Sequence, residues 1–251
     1  VAADVTFTVT DELKAVETVE MQDAPIETVI SKVDMADTAK ELPGATLQIL
    51  KKVTAEDGTT SEEIAVTVYG EKLQWISGEE AKEIKGLPAG DYILREIAAP
   101  TGYTIAKDVE FTVSNDRKVT NKAVMEDQAT EVKISKVDIT NAEKELPGAE
   151  LQIMDTEGKE VVKTIFGEEL KWTSEESLKT VNGLAAGNYF LVETKAPEGY
   201  KLAEAVPFTI TAQEAGTENS DPITVKMYDE KTNVSILKVD KEGKALSGAT
   251  L

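Results

Sequence analysis

Three lysines stand where strand-forming sequence should be apolar. In "VISKVD" Lys32 falls in phase with Thr28 and Ile30, in "VKISKVD" Lys136 falls in phase with Val132 and Ile134, and in "VSILKVD" Lys238 does so with Val234 and Ile236. Side chains alternate across a strand, so each ammonium shares the face of the apolar residues. The lysines are 104 and 102 residues apart, the period of a domain rather than of a solenoid repeat. By the same counting Glu96 follows Tyr92 and Leu94, and Glu193 follows Tyr189 and Leu191. An aspartate follows a methionine by two at Asp23, Asp127 and Asp229, each nine residues before the next lysine. Asn121, which closes "KVTN", is a chemically competent alternative acceptor, but it lies fifteen residues before Lys136 and has no counterpart elsewhere.

Singly, each residue has an ordinary reading: a lysine that snorkels, a glutamate that caps a turn, an aspartate that starts a loop. Together, ionisable groups in phase with apolar strand faces are costly to bury, even as a paired cluster. The cost disappears if they react. Removal from water favours the neutral, nucleophilic form of an amine and the protonated form of a carboxylic acid. Attack of a lysine nitrogen on an aspartic acid would expel water and leave an amide, with a protonated glutamic acid polarising the carboxyl and carrying protons. Rigid strands would supply the effective concentration, and a dry core would protect the neutral product.

The elements that must hold these groups read as strands. Short runs such as "TLQIL", "IAVTVY", "YILREI" and "VEFTV", punctuated by Gly, Pro, Asn and Asp, are the pattern of an all-β sandwich. The stretches "SGEEAKEI" and "TSEESLKT" are the places where one helical turn is expected. Behind each lysine stands a turn and a second strand, "KELPGATLQIL", "KELPGAELQIM" and the shorter "KALSGATL". Later, "GLPAGDYILREIAAPTGY" and "GLAAGNYFLVETKAPEGY" are identical at 11 of 18 positions. Trp75 and Trp172, each 17 residues before Tyr92 or Tyr189, read as core or core-edge packing. Length differences are expected in polar loops, near "KKVTAEDGTTSEE" and "TAQEAGTENSDP". The expected organisation is two whole modules, 24–127 and 128–231. Residues 1–23 would be the closing strands of a preceding copy and 232–251 the opening strands of a following one. Almost no linker separates the copies, so the joint should be stiff.

Composition narrows the function. With 27 basic and 47 acidic residues the net charge is −20, which disfavours nucleic acid and anionic membranes as partners. There is no cysteine and no histidine, which excludes disulfides, N/S zinc sites and Ser-His-Asp or Cys-His catalysis. The acidic loops after "KVD" lack EF-hand spacing, so no metal or other cofactor is expected. No apolar run has the length of a membrane span and no signal peptide is visible; a chain opening on Val1 is expected to be an internal window on a longer polypeptide. "LPGAT" does not match a sortase signal and reads as a turn, and "NVS" reads as a chance glycosylation match.

"ISKVD…KELPGA", "YFLVETKAPEGY" and the "MYDE" strand resemble the collagen-adhesin B-type modules of Gram-positive surface adhesins and pilins. The resemblance covers both modules and both fragments. It implies tandem transthyretin-like, reverse immunoglobulin-like β-sandwiches, each closed by an intramolecular isopeptide bond between a first-strand lysine and a last-strand Asn or Asp, with a glutamate as catalyst. Carried over, it pairs Lys32 with Asp127 through Glu96, and Lys136 with Asp229 through Glu193. Asp23 and Lys238 would have partners outside the window or in a neighbouring chain. The implied role is a stalk segment of an extracellular, cell-wall-attached adhesin or pilus-like fibre, its partners being neighbouring modules and identical chains. A competing reading is an adhesin module that recognises a host matrix protein or glycan through loops such as "KKVTAEDGTTSEE". A turnover enzyme is disfavoured, since no cleft with paired carboxylates is identifiable.

Overall fold

A computed structural model describes residues 4–8, 18–116, 118–211, 222–248 and 250. The chain divides into two compact units, the first ending its main run at Glu131 and the second beginning at Val132, with the short segments Asn182–Gly187 and Ile210–Pro222 grouped with the first. In the first, the strands are β1 (Glu27–Asp34), β2 (Asp37–Glu41), β3 (Thr46–Thr54), β4 (Thr60–Ile64), β5 (Gln74–Ile76), β6 (Lys82–Lys85), β7 (Gly90–Ala98), β8 (Val109–Val113) and β9 (Asn121–Asp127). One sheet has β1 at its centre, with β2 and β6 sharing one edge and β9 on the other; the second sheet runs β4 and β5, then β3, β7 and β8. Ile30, Leu47, Ile49, Ile84, Leu94 and Met125 fill the space between them. Tyr92 stacks on Phe111 with ring centroids 5.8 Å apart, and Trp75 packs half-buried at the core edge.

The second unit repeats the plan with β10 (Glu131–Asp138), β11 (Asn141–Glu145), β12 (Glu150–Met154), β13 (Lys171–Thr173), β14 (Lys179–Asn182), β15 (Gly187–Lys195), β16 (Val206–Ile210) and β17 (Ile223–Asp229). Its sheets are β17, β10, then β11 and β14, and β13–β12–β15–β16. Ile134, Leu151, Ile153, Val181, Leu191 and Met227 are its buried equivalents.

The parallel neighbours β1 and β9 are the first and last strands of their unit. Seven residue pairs run in register from Thr28 opposite Asn121 to Asp34 opposite Asp127. The strands β10 and β17 repeat this from Val132 opposite Ile223 to Asp138 opposite Asp229. Each glutamate strand carries a bulge beside its glutamate: Leu47 pairs with Glu96 and Thr46 with Ala98, leaving Ile97 extra, and Thr194 is extra in the second unit. A bulge turns the side chain next to it, and here that side chain is the glutamate.

Two expectations are corrected. The stretches "SGEEAKEI" and "TSEESLKT" contain no helix; they bend and enter β6 and β14, because Ile84 and Val181 are single buried positions in an alternating pattern with no i, i+3, i+4 stripe. The length difference at "KKVTAEDGTTSEE" is not a loop. There β3 runs on past its last buried residue, Leu50, and pairs with β4 in a projecting hairpin closed by Gly58 at φ +83°. In the second unit β12 stops at Met154, and a short turn corresponds, with a Met154–Val161 bridge and Asp155 N donating to Glu160 O at 3.1 Å. Residues 4–8, 18–23 and 232–248, expected to belong to flanking modules, form no named strand, and Val234, Ile236 and Leu237 are 85%, 76% and 68% exposed. A strand needs a partner for its backbone groups, and among the described residues these segments have few: the small turn around the Val239–Ala245 bridge, with Leu246 N on Lys238 O, and Thr232 N on Gly199 O. The "TAQEAGTENSDP" expectation lies almost wholly outside the described residues.

Candidate functional site

Parallel register puts paired residues of β1 and β9 on the same face, so Ile30 and Lys32 point into the sandwich beside Ala123 and Met125. Lys32 and Asp127 are both buried, and the lysine Nζ contacts Asp127 Oδ1. From the opposite sheet, Glu96 places Oε1 3.1 Å from Lys32 Nζ, while its Oε2 accepts the Ala106 amide at 2.7 Å. The second unit repeats each contact. Lys136 Nζ touches Asp229 Oδ1, Glu193 Oε1 lies 3.0 Å away, and Glu193 Oε2 accepts the Ala203 amide at 2.7 Å.

Each trio holds one amine and two carboxyls out of water, so full ionisation would leave a buried net negative charge. Desolvation, with repulsion from Glu96, pushes the Asp127 carboxyl up to about 7 despite the opposing pull of Lys32. Asp229 is raised for the same leading reason. Among the described residues five buried side-chain polar atoms have no hydrogen-bond partner, and four belong to the trios: Glu96 Oε1, Asp127 Oδ2, Glu193 Oε1 and Asp229 Oδ2. Buried oxygens without a hydrogen bond are costly, and of these four only Glu96 Oε1 and Glu193 Oε1 have a lysine in ion-pair range.

Asn121 faces the same interior but sits at the other end of β9, opposite Thr28. Its Oδ1 accepts the Ser114 amide at 2.8 Å and its Nδ2 donates to the carbonyls of Ser114 and Glu27, which leaves it occupied and far from Lys32. Asp23 and Lys238 are exposed and lie in no strand. The structure thus brings together Lys32, Glu96 and Asp127, and Lys136, Glu193 and Asp229, and does not bring the other three to either cluster.

Sequence reasoning missed the groups that close the end of the site. The Tyr103 hydroxyl donates to Asp34 Oδ2 at 2.7 Å, directly beside Asp127 in register, and Tyr200 donates to Asp138 at 2.9 Å. Desolvation and the Asp34 contact raise the Tyr103 phenol well above its ordinary range. Asp138 is held well below the usual carboxylate range, chiefly by the Thr140 hydroxyl and amide, then by Lys231 and Tyr200. The backbone adds to the closure, with Met35 N donating to Asp127 O at 2.8 Å and Thr104 N to Gln128 O at 2.9 Å. The signal was present: "KVD" ends every lysine phrase, and "GY" ends both glutamate phrases.

A family model described as the SpaA prealbumin-like fold domain matches residues 26–129 and again 130–231. The chain belongs to this family. The expected tandem, transthyretin-like all-β architecture is therefore that of two SpaA domains. No curated protein matches the chain. Among solved structures, the Bacillus anthracis TIE protein is 26% identical at a TM-score of 0.41, over 84% of this chain and 35% of that one. This chain thus spans about a third of that protein's length. A streptococcal ancillary pilin is 20% identical at a TM-score of 0.36, over 90% of this chain and 69% of that one. The shaft pilin SpaA from Lactobacillus rhamnosus GG is 18% identical at 0.35, over 84% of this chain and all of the other. No helix among the described residues is long and apolar enough to cross a membrane.

Proposed function

We propose that this chain is a structural stalk segment of a Gram-positive cell-surface fibre or adhesin. Each SpaA domain is tied internally by an amide that it forms itself, Lys32 to Asp127 under Glu96 and Lys136 to Asp229 under Glu193. The domains span 24–127 and 128–231, with 1–23 and 232–251 belonging to flanking modules, to which Asp23 and Lys238 would contribute. The observation that supports this is one contact: a buried lysine Nζ against an aspartate Oδ1, bridging parallel first and last strands, twice.

The chemistry balances within the trio. A proton passes from the Lys32 ammonium to the Asp127 carboxylate, giving a neutral amine and a carboxylic acid while Glu96 stays protonated. The amine nitrogen attacks Asp127 Cγ, and Glu96 donates a hydrogen bond to the carboxyl and relays the proton lost by nitrogen. One aspartate oxygen leaves as water, and an amide remains with Glu96 protonated as before. The reaction runs once per domain, so it is maturation rather than turnover.

Tension would enter a domain along β1 and leave from the end of β9. Without a covalent tie it would shear the seven register pairs of β1 and β9. With it, load crosses from Lys32 to Asp127, and the 94 residues between are bypassed. Closing such a loop also stabilises by about 4–5 kcal/mol in the chain-entropy model, if the isopeptide acts as a disulfide does. A chain without cysteine gains in this way the resistance that extracellular domains otherwise draw from disulfides.

Intact mass of the full chain tests the reading. The expected result is a deficit of two waters against the sequence, one restored by Lys32→Ala and the other by Lys136→Ala. A folded chain at its full sequence mass would remove the covalent tie and with it the load-bearing role.

A further inference from the structure

The edge of β1 that faces β2 and β6 has a gap beside the lysine. Pairing with β6 covers Glu27 to Ile30, pairing with β2 resumes at Val33, and the β2 register is shifted there. The Lys32 carbonyl is met by the Leu42 amide at 2.6 Å. The Lys32 amide meets a side chain: it donates to Glu41 Oε2 at 2.8 Å. A cleft of about 470 Å³ opens at this gap, lined among others by Lys32, Glu41, Trp75 and Ser77.

The second SpaA domain is built alike. Lys136 N donates to Glu145 Oε2 at 2.9 Å, Ser135 Oγ donates to Glu145 Oε1 at 2.6 Å, and a cleft of about 220 Å³ is lined by Lys136, Glu145, Trp172 and Ser174. The third copy of the phrase separates two explanations. There Ala245 stands at the glutamate's place, yet Leu246 N still donates to Lys238 O at 2.8 Å. The turn therefore forms without the carboxylate, and the glutamate serves something other than the turn.

We propose that Glu41 and Glu145 are positioning residues for bond formation. Each replaces the missing backbone acceptor at the one unpaired stretch of its first strand, locking the lysine backbone so that the amine is held on the aspartate carboxyl rather than turning into the cleft. Neither touches the reacting atoms. This rests on the bond-forming reading above.

The test follows water loss by intact mass and peptide mapping from the start of low-temperature cell-free synthesis of the full chain, with folding monitored by near-UV circular dichroism. Ångström-scale misplacement costs on the order of 10²-fold in rate, so Glu41→Ala should slow the Lys32–Asp127 linkage by about that much. The Lys136–Asp229 linkage in the same molecule should keep its wild-type rate, and Glu145→Ala should reverse the pattern. Glu41→Gln, which keeps an accepting oxygen at the same length, should restore most of the rate. Wild-type linkage kinetics in a folded Glu41→Ala chain would overturn the proposal, as would a Glu41→Gln chain as slow as Glu41→Ala. Absence of linkage in the wild-type chain would instead overturn the bond-forming reading itself.

Discussion

The two SpaA domains hold the same trio in different surroundings. In the first, β3 and β4 project as a hairpin, and Arg95 on β7 pairs with Glu62 at 2.7 Å and Asp108 at 2.5 Å. In the second no named strand among the described residues corresponds to β4, and Val192 stands at the place of Arg95. At the closing end, Lys231 sits 3.0 Å from Asp138 in the second domain, while Ala129 occupies the matching place after Asp127 in the first. Yet the lysine-to-glutamate distances are 3.1 and 3.0 Å. Strand pairing around the lysine sets the site, and the hairpin is free to vary because residues 51–63 pair with one another beyond the part of β3 that pairs with β7.

The largest expected effect is loss of the proposed tie. Lys32→Ala and Lys136→Ala should each lower stability by about 4–5 kcal/mol for the domain concerned and leave the other unchanged. Differential scanning calorimetry resolving two transitions checks this, and an equal loss in both domains would mean that they are not independent. Next come the glutamates. Glu96→Ala and Glu193→Ala should leave folded but unlinked domains, with linkage slowed by about 10²- to 10⁴-fold, read by intact mass over days.

A pH dependence follows for a domain left unlinked. With burial holding Asp127 at about 7 in the folded state against about 3.9 unfolded, the fold binds more protons between those values. Stability of the unlinked Lys32→Ala domain should therefore be fullest below about pH 4 as far as this group is concerned, and decline as pH rises toward the raised folded value. Desolvation, the leading cause, and repulsion from Glu96 both persist in that variant, while the opposing pull of Lys32 is gone. With the proposed amide formed, the wild-type domain has lost the titrating carboxyl and should be flatter across the window; urea midpoints from pH 4 to 8 decide, and parallel curves would contradict the account.

Smaller effects belong to the closing end. Tyr103→Phe should cost about 1 kcal/mol in the first domain. Tyr200→Phe should cost less, because Asp138 keeps Thr140 and Lys231; paired chemical denaturation of the two variants measures the difference, and adding Lys231→Ala should bring the second domain toward the first. The smallest concerns the hairpin. Replacing 51–63 by the short turn of the second domain should leave the Lys32 linkage complete and shift stability by no more than about 0.5 kcal/mol, and incomplete linkage would show that the periphery matters.

Much of this was readable from residue types alone. Alternation placed Lys32, Glu96 and Asp127 on apolar faces, and repetition every hundred residues separated that pattern from chance. What alternation leaves open is register. Asp127 and Asn121 lie on the same face of β9, six residues or about 20 Å apart along the strand, and nothing local says which comes level with a lysine some ninety residues earlier. Parallel pairing of β1 with β9 made that choice, and the bulge at Ile97 aimed Glu96. The gap filled by Glu41 was equally hidden, since a missing backbone partner is a property of three strands at once and of no segment by itself.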